Sequence, residues 1–231
     1  MSAPVPAGGV LLRLDRLTLA RGGREVVSAL SGNFERGTLT AVTGPNGAGK
    51  STLVEAMAGR LAPVAGRLER TAGLRVAHLP QQSVLDRQFP IRVGDVVALG
   101  AWSRIGLWKA LGGGLRREVD EALATVGLLG CAQRPISDLS VGQFQRVLFA
   151  RLLLQDADLI LLDEPFNAVD EATTADLLAL MRDWRDQGRA VVAVLHDQAQ
   201  VQAHFDRMLQ LDGRRRWAWG ATAELLGACA A

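Results

Sequence analysis

Tyrosine is absent from this 231-residue chain, lysine occurs only at Lys50 and Lys109, and cysteine only at Cys131 and Cys229. The two cysteines share no metal-ligand spacing, which argues against a zinc ribbon or a disulfide-stapled scaffold and predicts free thiols. His78, His196 and His204 are scattered as well, so no metal cage is readable. No uninterrupted apolar run approaches the roughly 18 residues of a membrane span. Met1 to Gly9 lacks the positive start and apolar middle of a secretory signal, which predicts a cytoplasmic protein. A net charge of +2 is too small to argue for nucleic acid or an anionic lipid surface. The one basic cluster, Arg214-Arg215-Arg216, precedes Trp217-Ala218-Trp219, a mixture also found on nucleic-acid surfaces. The pattern from Met208 to Trp219 predicts instead a hairpin turning at Asp212-Gly213, with solvated arginines and half-buried tryptophans. No nucleic-acid partner is expected.

Against so little lysine, Lys50 stands out. It lies in Gly44-Pro45-Asn46-Gly47-Ala48-Gly49-Lys50-Ser51-Thr52, which fits G-x-x-x-x-G-K-[ST] in full. A short β-rich run, Leu39 to Thr43, precedes it, and Ser51 to Gly59 reads as a helix. Glycines at 44, 47 and 49 let backbone N–H groups turn inward around phosphate oxygens, and the helix N-terminus adds partial positive charge. Lys50 then reaches the β- and γ-phosphates, and the Ser51 hydroxyl can ligate Mg²⁺.

The remaining pattern is α/β. Leu11 to Leu19 and Val26 to Phe34 alternate around Gly22-Gly23 and predict an antiparallel start. Leu74 to Leu79 reads as a strand ending at Pro80-Gln81-Gln82. Helical periodicity follows, with Val119, Ala122, Leu123 and Val126 on one face. The expected organisation is a single domain over 1–231, with a nucleotide-binding core from 1–82 and 155–231 and an inserted helical subdomain over 83–154. Leu159 to Leu162 and Ala190 to Leu195 are continuous apolar strands separated by a helix bearing Leu177, Leu180, Met181 and Trp184. Such strands alternating with helices imply a parallel sheet covered on both faces.

Asp163 and Glu164 end the first of these strands, where α/β sheets place ligands. Asp163 suits Mg²⁺ beside Ser51, and Glu164 suits activation of the water that attacks a γ-phosphate. Asp170 fits a helix cap better than that pair does. His196 stands at the end of the next strand and is expected to contact the γ-phosphate, whereas His78 and His204 read as structural. Leu139-Ser140-Val141-Gly142-Gln143 opens a helix whose Phe144, Val147, Leu148 and Leu152 form an apolar face, with Ser140, Gly142 and Gln143 expected to be exposed at its N-terminus.

The phosphate loop, Gln81 after a strand, Leu139 to Gln143, Asp163-Glu164, Asp170 and His196, taken in order, resemble the ATPase subunits of ABC transporters. The resemblance covers nearly the whole chain. It implies a P-loop NTPase (RecA-like) parallel-sheet core with an antiparallel β subdomain and an inserted α-helical subdomain. It further implies ATP and Mg²⁺ as ligands, and a head-to-tail dimer in which Ser140, Gly142 and Gln143 of one copy clamp the γ-phosphate held by the other. Gln81 would sense Mg²⁺ and the attacking water, Asp170 would sit at the dimer contact, and His196 would hold the γ-phosphate. A membrane-spanning permease would turn the cycle into transport.

Two positions depart from the family. Val141 replaces the usual first glycine of the signature, and Arg21 stands where an aromatic usually stacks on adenine. A guanidinium plane can stack on a base as well. The stretches from Pro80 to Gln82, Asp86 to Pro90, Val93 to Gly100 and Glu164 to Asp170, together with His196-Asp197, look like bacterial zinc and manganese importers, closest to the zinc-importer ATPases. Iron-chelate and cobalamin importers use similar subunits, and an exporter or a non-transport switch ATPase is a more distant alternative. The ion itself would be held by a solute-binding protein and the permease. Trp102, Ile105, Leu107 and Trp108 near Gly112-Gly113-Gly114 form an apolar patch that either packs the subdomain or receives the permease.

Overall fold

In the first long hairpin, apolar side chains alternate along both strands. A computed structural model describes residues 8–81, 89–102 and 113–228. Strands β1 (Val10–Arg21) and β2 (Arg24–Glu35) pair antiparallel. They turn through Gly22 and Gly23, whose positive φ values, 59° and 77°, match a hairpin turn that follows the strand twist. Leu12, Leu14, Leu17, Leu19, Leu30 and Phe34 are buried. Strand β4 (Ala65–Arg70), mostly exposed, completes a three-stranded sheet in the order β2-β1-β4.

A second sheet has six strands in the order β5-β6-β7-β3-β8-β9. Its members are β3 (Leu39–Thr43), β5 (Val76–Leu79), β6 (Leu159–Asp163), β7 (Ala190–Val194), β8 (Arg207–Leu211) and β9 (Trp217–Ala221). β3 pairs parallel with β7 and β8, and β6 pairs parallel with β7. Every residue of β6 and β7 is buried, as the continuous apolar runs predict. β8 and β9 form the expected antiparallel hairpin. The parallel register brings the ends of β3, β6 and β7 level, so Thr43, Asp163 and Val194 finish at one edge.

Helices are α1 (Lys50–Met57), α2 (Val93–Ala98), α3 (Gly113–Thr125), α4 (Val141–Gln155), α5 (Glu171–Asp186), α6 (Gln198–His204) and α7 (Thr222–Ala228). The chain divides into two compact units. One comprises Met1–His78, Asp158–Pro165 and Met181–Ala231, and holds both sheets. The other comprises Leu79–Ala157 and Phe166–Leu180, and is helical. In the helical unit Val119, Ala122, Leu123 and Val126 are buried, as are Phe144, Val147, Leu148 and Leu152 of α4. Leu177, Leu180, Met181 and Trp184 of α5 are buried as the periodicity requires. Trp102 is 53% exposed, whereas Ile105, Leu107, Trp108 and Gly112 lie outside the described residues, as do Gln82, Asp86, Arg87, Gln88 and Cys229. No helix among the described residues is long and apolar enough to cross a membrane.

Candidate active site

Gly44 to Gly49 turn between β3 and α1 because glycine is required there. Gly44 has φ 139°, and a Cβ on it would stand 2.2 Å from the carbonyl oxygen of Leu211. Gly49 has φ 98° and caps α1 with no side chain, leaving the first backbone N–H groups of the helix without a side-chain cap. Asn46 and Gly47 are exposed at the loop's crown, and Ala48, Lys50 and Thr52 are buried. Nζ of Lys50 donates to the carbonyls of Gly44 (2.8 Å) and Pro45 (3.1 Å), so the ammonium is held over the loop. Burial lowers the Lys50 pKa, opposed by the nearby carboxylates of Glu164 and Asp163. Phosphate oxygens offer a stronger partner than these neutral carbonyls.

Asp163 ends β6 and is 6% exposed. The Ser51 hydroxyl donates to its carboxylate, yet Oδ1 is buried with no hydrogen-bond partner. Burial raises its pKa, reinforced by Glu164 and Glu55 and resisted by the bonds to Ser51 and the charge of Lys50. Glu164 follows with φ 53°, a left-handed backbone that costs a non-glycine residue on the order of 1–3 kcal/mol. That turn aims its carboxylate at His196: Nε2 donates to Oε1 at 2.9 Å. An ionised carboxylate can only accept, so the imidazole proton sits on Nε2. A buried acid with an open oxygen, a cation over a glycine loop and a carboxylate–imidazole pair thus lie together at the ends of β3, β6 and β7.

Arg21, at the end of β1, is bonded rather than free: Nη1 lies 2.5 Å from Glu55 Oε2 on α1. His78 has both ring nitrogens buried without partners, and burial lowers its pKa to about 4. His204 Nδ1 is 3.1 Å from Arg182.

The helical unit carries the other predicted residues. Gln81 is exposed immediately after β5. Ser140 caps α4: its Oγ accepts from Gln143 N (3.1 Å), while Gln143 Oε1 accepts from Ser140 N (3.1 Å). This reciprocal capping box was not anticipated, although Ser-x-x-Gln is its sequence signature. Gly142, expected to be exposed, is buried: a Cβ there would stand 3.0 Å from Asp170 Oδ2 and 3.2 Å from Thr173 Oγ1. The expectation treated a helix N-terminus as open and overlooked the start of α5, which packs there. Asp170 accepts from Thr173 N (2.8 Å) and Thr173 Oγ1 (3.0 Å), the predicted cap. These bonds from Thr173 hold its pKa below the usual carboxylate range. Val141 is the first residue of α4, where its β-branched side chain is accommodated at the cost of being held to one preferred χ1 rotamer.

The chain is similar to known proteins over most of its length. The ABC transporter family model matches residues 27–167. The chain is 39% identical over 219 residues to the zinc transport system ATP-binding protein TroB of Treponema pallidum (strain Nichols), covering 92% of this chain and 82% of that protein. It is 36% identical over 217 residues to the manganese transport system ATP-binding protein MntB of Bacillus subtilis (strain 168), covering 91% and 86%. A solved ABC transporter assigned to the metal-chelate type, in an inward-facing conformation, superposes with a TM-score of 0.86 at 29% identity, covering 94% of this chain and 86% of that one. A nucleotide-free ATP-binding cassette from an ABC transporter gives 0.83 at 18% identity over 96% of each chain, a likeness of fold. With the phosphate loop, the buried acid and the glutamate–histidine pair at the ends of one parallel sheet, the chain belongs to the ABC transporter family as an ATP-hydrolysing subunit.

Proposed function

We propose that this subunit energises import of a divalent metal ion, zinc in the first instance, through a separate membrane permease served by a solute-binding protein. The observation that carries the reading is 39% identity over 92% of the chain to an ATP-binding protein named for zinc transport. Manganese is the second reading, supported by relatives at 33–36% identity named for that ion. The subunit would sit on the inner face of the cell membrane through the permease. Deleting the gene and measuring uptake of labelled zinc and manganese separates the two. Loss of manganese uptake alone would overturn zinc, and loss of neither would overturn metal import.

At the site, the backbone of Gly44 to Gly49 and the Lys50 ammonium would hold the ATP phosphates, with Ser51 and Thr52 closing the loop. Mg²⁺ fits Ser51 and Asp163, because the buried Asp163 Oδ1 needs a partner and a divalent cation prefers hard oxygen donors. When bound, Mg²⁺ would screen charge on the terminal phosphates. Glu164 would take a proton from the attacking water while His196 orients that carboxylate and contacts the γ-phosphate. Gln81 would report the state of Mg²⁺ and the water to the helical unit. Ser140, Gly142 and Gln143 of a second copy would close over the γ-phosphate, with Asp170 at the contact between copies. Arg21, oriented by Glu55, would stack on the base. Full ATP affinity in Arg21→Ala would remove that role.

A further inference from the structure

The basic tip Arg214–Arg216 has no part in the reading above, yet it adjoins the phosphate loop. The carbonyl of Leu211, last residue of β8, abuts Gly44, and a Cβ on Gly213 would stand 3.1 Å from Pro45 Cγ. The opposite end of the loop is bounded by β2, since a Cβ on Gly49 would meet Val27 Cγ2 at 3.0 Å and Val26 Cβ at 3.3 Å. Arg215 Nη1 and Glu25 Oε2, 3.6 Å apart, join these two flanks. Val26 and Val27 therefore border the loop at one end and Gly213 at the other, and Glu25 and Arg215 tie the two hairpins to each other. Asp212 shapes the second tip: it accepts from Arg214 N (2.7 Å), Arg216 N (3.0 Å) and Arg216 Nε (2.7 Å). Arg216 is thereby engaged, whereas the exposed guanidinium of Arg214 has no partner among the described residues.

A base leaving this loop needs a flat surface, and the unit offers no free ring. Its aromatic residues are Phe34, Trp184, Phe205, Trp217 and Trp219. Phe34, Trp184 and Phe205 are buried. Trp217 Nε1 donates to Ser28 O (3.3 Å), and Trp219 packs edge-on to Phe34 with centroids 4.7 Å apart. Guanidinium planes are the remaining stacking groups beside the loop.

We propose that Arg214 and Arg215, on the β8–β9 tip, form a second wall of the nucleotide site and stack on the base or ribose of ATP. The proposal rests on the phosphate loop being the nucleotide site. Titration calorimetry on the full chain compares ATP with inorganic tripolyphosphate, which has phosphates and no base. In Arg214→Ala/Arg215→Ala, ATP affinity is expected to fall about fivefold or more, from two exposed cation–π contacts, with tripolyphosphate affinity unchanged. Arg67→Ala, which removes an exposed arginine of β4, should alter neither. Arg214→Gln/Arg215→Gln, with the same expectation, guards against an effect of truncation. Unchanged ATP affinity, or an equal loss for both ligands, would overturn the stacking role. Lys50→Ala should weaken both ligands; if it weakens neither, the loop assignment itself falls.

Discussion

His196 Nε2 donates to Glu164 Oε1 across 2.9 Å, joining the ends of two adjacent parallel strands. The imidazole therefore orients the carboxylate, and the two side chains form one hydrogen-bonded pair.

Glu164→Gln keeps an oxygen acceptor for His196 but removes the basic carboxylate. ATP binding should persist, and turnover should fall by roughly 10²-fold or more, the scale of general-base catalysis. Phosphate release measured beside nucleotide binding checks this, and undiminished turnover would remove the general-base role. His196→Ala should also lower turnover with little change in ATP affinity.

Asp163→Asn exchanges activity for stability. Burial raises the Asp163 pKa, so the folded state resists the charge that the unfolded chain accepts freely. Stability contributed by this group is present below the ordinary carboxylate range and falls as pH rises through that range towards the raised value. Without Mg²⁺, the asparagine variant should melt higher than wild type at neutral pH, with the gap closing in acid. Its Mg²⁺-dependent ATP turnover should be abolished. Thermal melts across pH and a turnover assay test the two halves separately.

His78 gives the opposite slope. Its pKa is lowered to about 4 from 6.5 by burial, aided by the charge of Arg60. The unfolded chain takes up this proton first, so stability is lost as pH falls from 6.5 towards about 4. His78→Leu should flatten that part of the acid limb, read as Tm against pH, because no group remains there to protonate. An unaltered limb would show that other groups dominate it.

Gly44→Ala tests the loop's dependence on a missing side chain. The new Cβ would meet the Leu211 carbonyl at 2.2 Å with φ already at 139°. Backbone must move, at a cost of roughly 1–3 kcal/mol by the scale of overpacking, read as a lower urea midpoint. ATP affinity should fall with it.

Strands were legible where periodicity was strong. β3, β6 and β7 appear as apolar runs, and the β1–β2 and β8–β9 hairpins carry their turn residues at Gly22-Gly23 and Asp212-Gly213. β4 has five exposed residues of six and so no apolar signal to read. The phosphate-loop residues were legible from their spacing because phosphate cradling demands glycine at fixed positions. Burial of Gly142 was not, since it depends on Asp170 and Thr173, which become neighbours only once α5 packs. The contact between the basic tip and the loop escaped for the same reason: Pro45 and Gly213 are remote in the chain and meet only through the β3–β8 pairing.

That pairing also constrains the order of synthesis. Lys50 emerges first, but the strand that carries its loop is flanked by β7 and β8, which are made long after it. Such long-range parallel pairing forms slowly, after its partners exist. A nascent chain halted before Leu211 would carry the complete loop sequence without the carbonyl that abuts Gly44, so the loop gains this backing only once β8 has been made.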